Sequence, residues 1–273
     1  MPAEAGAAPA PDARGLSPAP TTFRDHFSQT SAAYAEFRPG YPATLFDWLA
    51  SLAPARRLAW DAATGNGQAA LPLAARFERV VATDASAEQL REATPHAHIE
   101  YRVARAEDGG LPDASVDLLT VAQSAHWFEL PAFHAQAARA LAPRGVVALW
   151  CYGLLAIEPG LDERLRAFYV EVVGPYWPPE RRLVDEGYRG LSFPYDELAA
   201  PGFAMEHDLT LPALAGYLGT WSAVQAFRKE RGSDPVEPCL RELEPAWGAA
   251  DRPRRARWPL HLRVGRRRAA DAG

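Results

Sequence analysis

The sequence predicts an α/β protein built on a doubly wound, mostly parallel sheet of seven strands. Strand and helix patterns alternate about five times between residues 56 and 150, which is typical of a parallel sheet with helices on both faces. Residues 116–122 are nearly continuously apolar, as a strand covered on both faces requires. Right-handed crossovers then give the strand order 3-2-1-4-5, with a ligand crevice between the first and fourth strands.

Five predicted strands and their connections account for the central part of the chain. The strands cover residues 58–60, 79–84, 99–103, 116–122 and 146–150. Helices are predicted for residues 69–77, from Ser86 onwards and for 130–141; the helix at Ser86 begins with the Ser-x-x-Gln form of a capping box. A turn is predicted at residues 143–145. The loop at 123–128 is expected to lie over the crevice.

The first 55 residues divide into a tail and a cap. Residues 1–20 are mostly Ala, Pro and Gly, and we expect them to be disordered. Residues 21–55 predict helices at 23–34 and 43–53, separated by a proline-containing turn. This pair covers a bound ligand or, alternatively, packs on the sheet edge. In a cap, Arg38 pairs bidentately with a ligand carboxylate; otherwise it is a solvated arginine.

The chain after residue 150 supplies an insertion and the remaining strands. Residues 151–200 are predicted to close over the carboxyl edge of the sheet as a lid. Their large aromatic side chains line a substrate pocket or, alternatively, pack within the insertion: Trp177, Tyr188 and Phe193. The part at 201–266 is predicted to hold a strand at 203–211, a helix at 212–229 and a last strand at 257–264, followed by a tail at 267–273.

The segment around the first predicted strand indicates a nucleoside-like ligand. Ala63, Gly65 and Gly67 follow the strand and leave little side-chain bulk between the backbone and a ligand. Asp61 stands just before them. A fixed negative charge there would repel the pyrophosphate of NAD but attract the ammonium of S-adenosylmethionine, which we therefore predict as the cofactor. A tight turn without a ligand is the alternative.

A second acid strengthens this interpretation. Asp84 ends the second predicted strand and lies 23 positions after Asp61. A doubly wound nucleoside site places an acid about 20 residues after the glycine loop, where it accepts the ribose hydroxyls. The alternative is an acid exposed at a strand end, but the spacing favours the ribose role.

Composition argues against several classes of partner. The net charge of −5 argues against nonspecific binding to a polyanion, and the arginine-rich C-terminus lacks an aromatic stacking set, so nucleic acid is not a favoured partner. No apolar run approaches the roughly 18 residues of a membrane span, and the N-terminus lacks the apolar core of a signal peptide. Cys151 and Cys239 are far apart without metal-type spacing, which predicts a reduced cytoplasmic protein with no metal site.

Taken together, these motifs resemble those of class I S-adenosylmethionine-dependent methyltransferases, in the small-molecule group related to trans-aconitate methyltransferase. The resemblance covers about residues 23–265 and rests on motifs in the same order and spacing: Asp61-x-x-x-Gly65-x-Gly67, Asp84, Ala106-Glu107, residues 123–128 and Tyr34-x-x-x-Arg38-Pro39-x-Tyr41-Pro42. It implies a Rossmann-like methyltransferase fold with an antiparallel last strand. It also implies methyl transfer to a small-molecule acceptor such as a carboxylate or hydroxyl.

The resemblance further implies roles for individual residues. Gly65 and Gly67 would face the methionyl part of the cofactor, Asp61 its ammonium and Asp84 its ribose. The adenine would lie at Ala106 and Glu107, and Gln123 would be near the methionyl group. Ala63 stands where the family has a glycine, so the φ angle at this position must suit a Cβ atom.

The loop after the fourth strand carries the candidate catalytic residue. His126 is a general base or a substrate hydrogen-bond partner with a pKa suited to neutral pH, or else a histidine that orients its own loop. Trp127 forms a pocket wall beside it or packs in the core. Two other functions stay open. One is a noncatalytic domain that keeps the fold and binds a ligand or partner. The other is an NAD-dependent dehydrogenase, which is disfavoured because the Gly-x-Gly of Gly65 and Gly67 lacks a third glycine three residues further on.

Overall fold

The structure is a computed structural model that describes residues 39–268. The predicted disordered tail at 1–20, the predicted helix at 23–34 and Arg38 lie outside the described residues, as do residues 269–273. The predictions made for them stay predictions.

Within residues 39–268, eight strands form one mostly parallel sheet. They are β1 Leu58–Ala62, β2 Arg79–Asp84, β3 Ile99–Val103, β4 Val116–Ala122, β5 Leu141–Tyr152, β6 Asp196–Leu198, β7 Phe203–Leu209 and β8 Arg254–Arg266. Strands β1 to β5 are parallel in the predicted order β3-β2-β1-β4-β5, and β8 joins β5 antiparallel. Because β6 and β7 pair with successive stretches of β8, the eight strands fill seven positions.

Helices cover both faces of this sheet. They are α1 Ala43–Leu52, α2 Ala70–Ala74, α3 Ala87–Arg91, α4 Leu130–Ala140, α5 Pro159–Ala167, α6 Arg181–Asp185, α7 Leu211–Gly219, α8 Ser222–Arg231 and α9 Val236–Trp247. The predicted cap at Ser86 is present, since its hydroxyl accepts a hydrogen bond from the Gln89 backbone N–H at 3.3 Å. Helix α2 is shorter than the predicted 69–77.

Two differences from the sequence-based boundaries matter for the site. The prediction of a single helix at 212–229 is wrong, because α7 ends before Thr220 and Trp221 has an extended backbone. The Thr220 hydroxyl donates a hydrogen bond to the Tyr217 carbonyl at 2.7 Å. The fifth strand begins earlier than predicted, at Leu141, and contains the predicted turn as an irregularity in which Arg144 has φ 64°.

Buried side chains on the two faces of the sheet form separate cores. Trp150 and Trp258 belong to one cluster, and Trp60 and Phe133 to the other. All four side chains are fully buried, and burying a large apolar side chain contributes roughly 1.5–3 kcal/mol. This two-sided burial explains why β4 is buried at successive positions without alternation and why most of its residues are apolar.

The start of β1 is held by a buried carboxylate on β4. Asp117 is fully buried and accepts hydrogen bonds from the backbone N–H groups of Arg57 at 2.9 Å and Leu58 at 3.2 Å. The Arg57 guanidinium also approaches it, at 3.4 Å. These contacts anchor the start of β1, whose other end lies at the edge of the sheet that carries the loop at 63–67.

We expect Asp117→Ala to lower the free energy of unfolding by about 1–3 kcal/mol, because it leaves two backbone N–H groups without their acceptor. Urea unfolding measures this change. The matched control is Asp113→Ala, which removes a carboxylate that is exposed and pairs with Arg139 at the surface, and it should change stability by less than about 0.5 kcal/mol. Equal losses in the two variants would contradict the structural role of Asp117.

Candidate active site

A cleft of about 1820 Å³ opens at the carboxyl ends of the parallel strands. Its first wall consists of the segments that end or follow β1 to β5: residues 63–66, 84–86, 104–107, most of 122–128, and 152–153. Its opposite wall comes from residues 177–181 of the insertion and from α7 and α8. The crevice predicted at the strand ends is therefore present.

The loop after β1 has the left-handed backbone that glycines favour. Ala63, Gly65 and Gly67 have φ angles of 54°, 58° and 87°. Ala63 adopts this conformation in spite of its Cβ, which costs about 1–2 kcal/mol. Gly65 lines the cleft, whereas Gly67 does not. A Cβ at Gly67 would lie 2.7 Å from the hydroxyl oxygen of Tyr101, so this position has no room for a side chain.

Asp61 lies beneath this loop and not on the cleft surface. It is fully buried and accepts hydrogen bonds from the hydroxyls of Thr64 at 2.5 Å and Thr120 at 2.7 Å. Burial raises its pKa to about 6; the two hydroxyls act in the opposite direction, and nearby Asp84 raises it further. The expectation that Asp61 meets a ligand directly is not met by this arrangement, so its pairing with an ammonium stays a prediction.

Asp84 combines a structural contact with a position on the cleft. Its two carboxylate oxygens accept the backbone N–H groups of Gly65 and Ser86, each at 2.8 Å. Its side chain is nearly buried but lines the cleft. Asp84, the residue predicted to bind the ribose, therefore also joins the loop after β1 to the end of β2.

Ala106, Glu107 and Gln123, which were also predicted to contact the cofactor, line the cleft. Ala106 is buried beside Glu107, whose carboxylate accepts the Glu129 backbone N–H at 3.0 Å and pairs with Arg105 at 3.2 Å. The Gln123 side chain binds both backbone groups of Tyr152, at 2.9 and 3.0 Å. Gln123 thus links the ends of β4 and β5, a role that its sequence position did not reveal.

His126 lines the cleft from the short 3-10 turn Ala125–Trp127. Burial and the nearby positive charge of Arg181 lower its pKa to about 3. The expectation of a pKa suited to neutral pH is therefore wrong, because the environment strongly disfavours the imidazolium. At neutral pH His126 is uncharged and a poor proton acceptor.

Tyr188 was predicted to contact the substrate, and the structure corrects this. Its side chain is fully buried, and its hydroxyl lies 2.8 Å from Nδ1 of His126. It therefore supports the histidine from behind and does not line the cleft. Among the aromatic residues predicted at the pocket, Trp127 and Trp177 line the cleft, whereas Phe193 packs against Tyr195 and Arg263.

Some residues of the opposite wall were missed by the sequence analysis. The Arg181 guanidinium lies 4.6 Å from the centre of the Trp177 ring, and its Nε donates to the Tyr169 hydroxyl at 2.6 Å. Tyr217 and Trp221 reach the cleft because the helical conformation is interrupted between α7 and α8. No spacing in the sequence marks Arg181, whereas the aromatic-rich stretch at 217–222 was a usable signal.

Comparison with known proteins gives three mutually consistent matches. Residues 60–149 match the model of a family described as "Methyltransferase domain". A Dictyostelium discoideum protein named "putative methyltransferase" is 34% identical over 238 residues, which cover 86% of this chain and 90% of that protein. A solved structure from Anaeromyxobacter dehalogenans, described as a "putative type II methyltransferase", is 46% identical with a TM-score of 0.80 and covers 84% of this chain and 97% of that one.

The chain belongs to the class I S-adenosylmethionine-dependent methyltransferases. S-adenosylmethionine is accordingly its cofactor, and the residues present suit it: Gly65 leaves the loop open to a ligand, and Asp84 offers a carboxylate at the cleft wall. The closer relation to trans-aconitate methyltransferase stays a prediction. Among residues 39–268, no helix of this methyltransferase is long and apolar enough to cross a membrane.

The buried carboxyl of Asp61 predicts a pH dependence of stability. Because its folded-state pKa of about 6 lies above the usual value of 3.8, this group's contribution to stability is fully present below about pH 4 and is lost as the pH rises through about 6. Asp61→Asn removes this titration. The wild type should therefore lose up to about 3 kcal/mol relative to Asp61→Asn between about pH 4 and pH 7.

Urea unfolding of the two proteins at several pH values measures this difference. A difference that stays constant across the range would contradict the raised pKa, whichever of the two proteins is the more stable.

Proposed function

We propose that this methyltransferase transfers the methyl group to a small-molecule acceptor held between the strand ends and the opposite wall. The aromatic character of that wall carries the proposal. Trp221 lies 5.6 Å from Trp177 and 5.8 Å from Tyr217 between ring centres, and all three line the cleft. Such a wall favours an acceptor of limited size with apolar parts, held away from water.

The cofactor, in this proposal, lies along the strand ends. Asp84 accepts the ribose hydroxyls, and Ala106 and Glu107 recognise the adenine. The methionyl part lies over Gly65 and near Gln123, with its ammonium attracted by the negative charge beneath the loop. Arg38, outside the described residues, is proposed to pair with the methionyl carboxylate. This placement directs the methionyl end toward His126 and the aromatic wall.

Methyl transfer from this cofactor requires mainly that the acceptor is correctly positioned. S-adenosylmethionine supplies an already activated methyl group, so the chain's own residues have to align the acceptor and exclude water. A histidine whose pKa is lowered to about 3 contributes little as a base at neutral pH. This favours an acceptor atom that is nucleophilic without His126 as a base, such as a carboxylate oxygen, over one that depends on proton removal by this residue.

We expect S-adenosylhomocysteine to bind the wild type saturably and Asp84→Asn at least about tenfold more weakly, because hydrogen bonds to a charged group contribute about 1.5–3 kcal/mol. Isothermal titration calorimetry measures both affinities. Glu88→Gln is the matched control, since Glu88 is an exposed acid on the rim of the same cleft. Its affinity should stay within about twofold. Equal affinities for the wild type and Asp84→Asn would argue against the proposed ribose contact.

The acceptor class has its own test. The protein is incubated with S-adenosylmethionine carrying a labelled methyl group and with a cell extract separated into low-mass, protein and nucleic-acid fractions. Label should appear in the low-mass fraction and should depend on active protein, with Asp84→Asn giving less. Label transferred only to protein or nucleic acid would overturn the small-molecule proposal and leave the methyltransferase assignment intact.

A further inference from the structure

The contact between His126 and Tyr188 has a defined direction. Tyr188 is fully buried, and its hydroxyl lies 2.8 Å from Nδ1 of His126. Burial raises the pKa of this phenol well above its usual value, so the hydroxyl keeps its proton. One hydrogen bond joins the two groups, and either the phenol donates to Nδ1 or a protonated Nδ1 donates to the phenol.

The surroundings of the phenol oxygen select the first of these. Within the part of the chain that the structure describes, the buried phenol hydrogen has no acceptor within hydrogen-bond distance other than Nδ1 of His126. If Nδ1 carried the hydrogen and donated to the phenol, the phenol hydrogen would stay buried without an acceptor, which is the costly arrangement for a buried donor. The phenol hydrogen is then left to donate to Nδ1, which must be unprotonated. A neutral imidazole with an unprotonated Nδ1 carries its hydrogen on Nε2.

The Nε2 edge of the ring is the one available to the cleft. Within residues 39–268 Nε2 has no hydrogen-bond partner, and it is not among the buried unpartnered polar atoms. His126 itself lines the cleft. The open edge of the ring therefore presents an N–H group to a ligand and no lone pair.

We infer that Tyr188 is a positioning residue that fixes His126 as the Nε2–H tautomer, so that His126 acts as a neutral hydrogen-bond donor to the methyl acceptor and not as its base. The inference rests on the proposed function, because it assigns the acceptor to this side of the cleft. It predicts that the acceptor places a hydrogen-bond-accepting atom at Nε2, such as a carbonyl, carboxylate or ether oxygen.

The charged and titratable groups around the pair are consistent with a neutral ring. Helix α6 contributes Arg181, whose positive charge opposes protonation of His126, and Asp185, which pairs with that arginine at 3.2 Å. From β5, the buried Cys151 thiol has its pKa raised to about 12 and stays uncharged. Tyr41, the remaining group that influences Tyr188, is also a phenol. None of these groups gives the imidazolium a carboxylate partner of its own.

The tautomer is measured directly by nitrogen NMR of protein labelled with ¹⁵N-histidine, and the His126 signals are assigned by their loss in His126→Gln. We expect Nε2 to be protonated, Nδ1 to be an unprotonated hydrogen-bond acceptor, and no titration between about pH 5 and pH 8. Tyr188→Phe should change the Nδ1 shift and allow the other tautomer to be populated. A protonated Nδ1 in the wild type, or a titration near pH 6.5, would overturn the inference.

A second measurement separates this inference from the proposed function. S-adenosylhomocysteine affinity should stay within about twofold in Tyr188→Phe, because the phenol does not line the cleft. If NMR contradicts the tautomer while the cofactor analogue still binds, the inference fails and the methyltransferase assignment stands.

Once an acceptor has been found, two variants of His126 test the donor itself. His126→Gln places an amide N–H near the position of Nε2, whereas His126→Asn places it near Nδ1. We expect the glutamine variant to retain most of the affinity for the acceptor and the asparagine variant to raise KM roughly tenfold, the loss of one hydrogen bond. The reverse order would overturn the assignment of the donor to Nε2.

Discussion

The hydrogen bonds of the Asp84 carboxylate hold together the edge of the sheet on which the site is built. They join Gly65 and Ser86, each at 2.8 Å, and so connect the loop after β1 to the end of β2. The register of the two strands brings these groups together, since Ala62 pairs with Thr83. A backbone N–H that binds a carboxylate also fixes the orientation of its peptide group. The open face of Gly65 is therefore held in place before any ligand arrives.

Asp61 acts on the same loop from below and at an energetic cost. Burying a carboxylate without a cationic partner disfavours its charged form, and the hydroxyls of Thr64 and Thr120 offset only part of that cost. The left-handed Ala63 adds a second unfavourable contribution within the same turn. Strain and desolvation concentrated in one loop are more easily explained by a ligand-binding role than by stability, because neither stabilises the folded chain.

The architecture and the cleft at the strand ends could be predicted from the sequence, whereas the opposite wall of that cleft could not. Apolar strands, right-handed crossovers and the spacing of Asp61 and Asp84 are local patterns, and they led to the observed strand order and to a cleft at the strand ends. The pKa of His126 depends on burial and on Arg181, which lies 55 positions away in the sequence. The interruption of the helix before Trp221 could not be predicted from the apolar pattern either, because the residues on both sides of it pack into the same core.

This division follows from which elements build each half of the cleft. The half of the cleft that we assign to the cofactor belongs to the ends of β1, β2, β3 and β4, whose positions are set by the sheet. The half that we assign to the acceptor combines the turn at His126 with an insertion that supplies Tyr188 and Arg181 and with the junction between α7 and α8. Changes in the insertion can therefore alter the protonation and hydrogen bonding of His126 without disturbing Asp84. In the proposed arrangement, acceptor choice is separable from the cofactor site, because different parts of the chain build the two halves of the cleft.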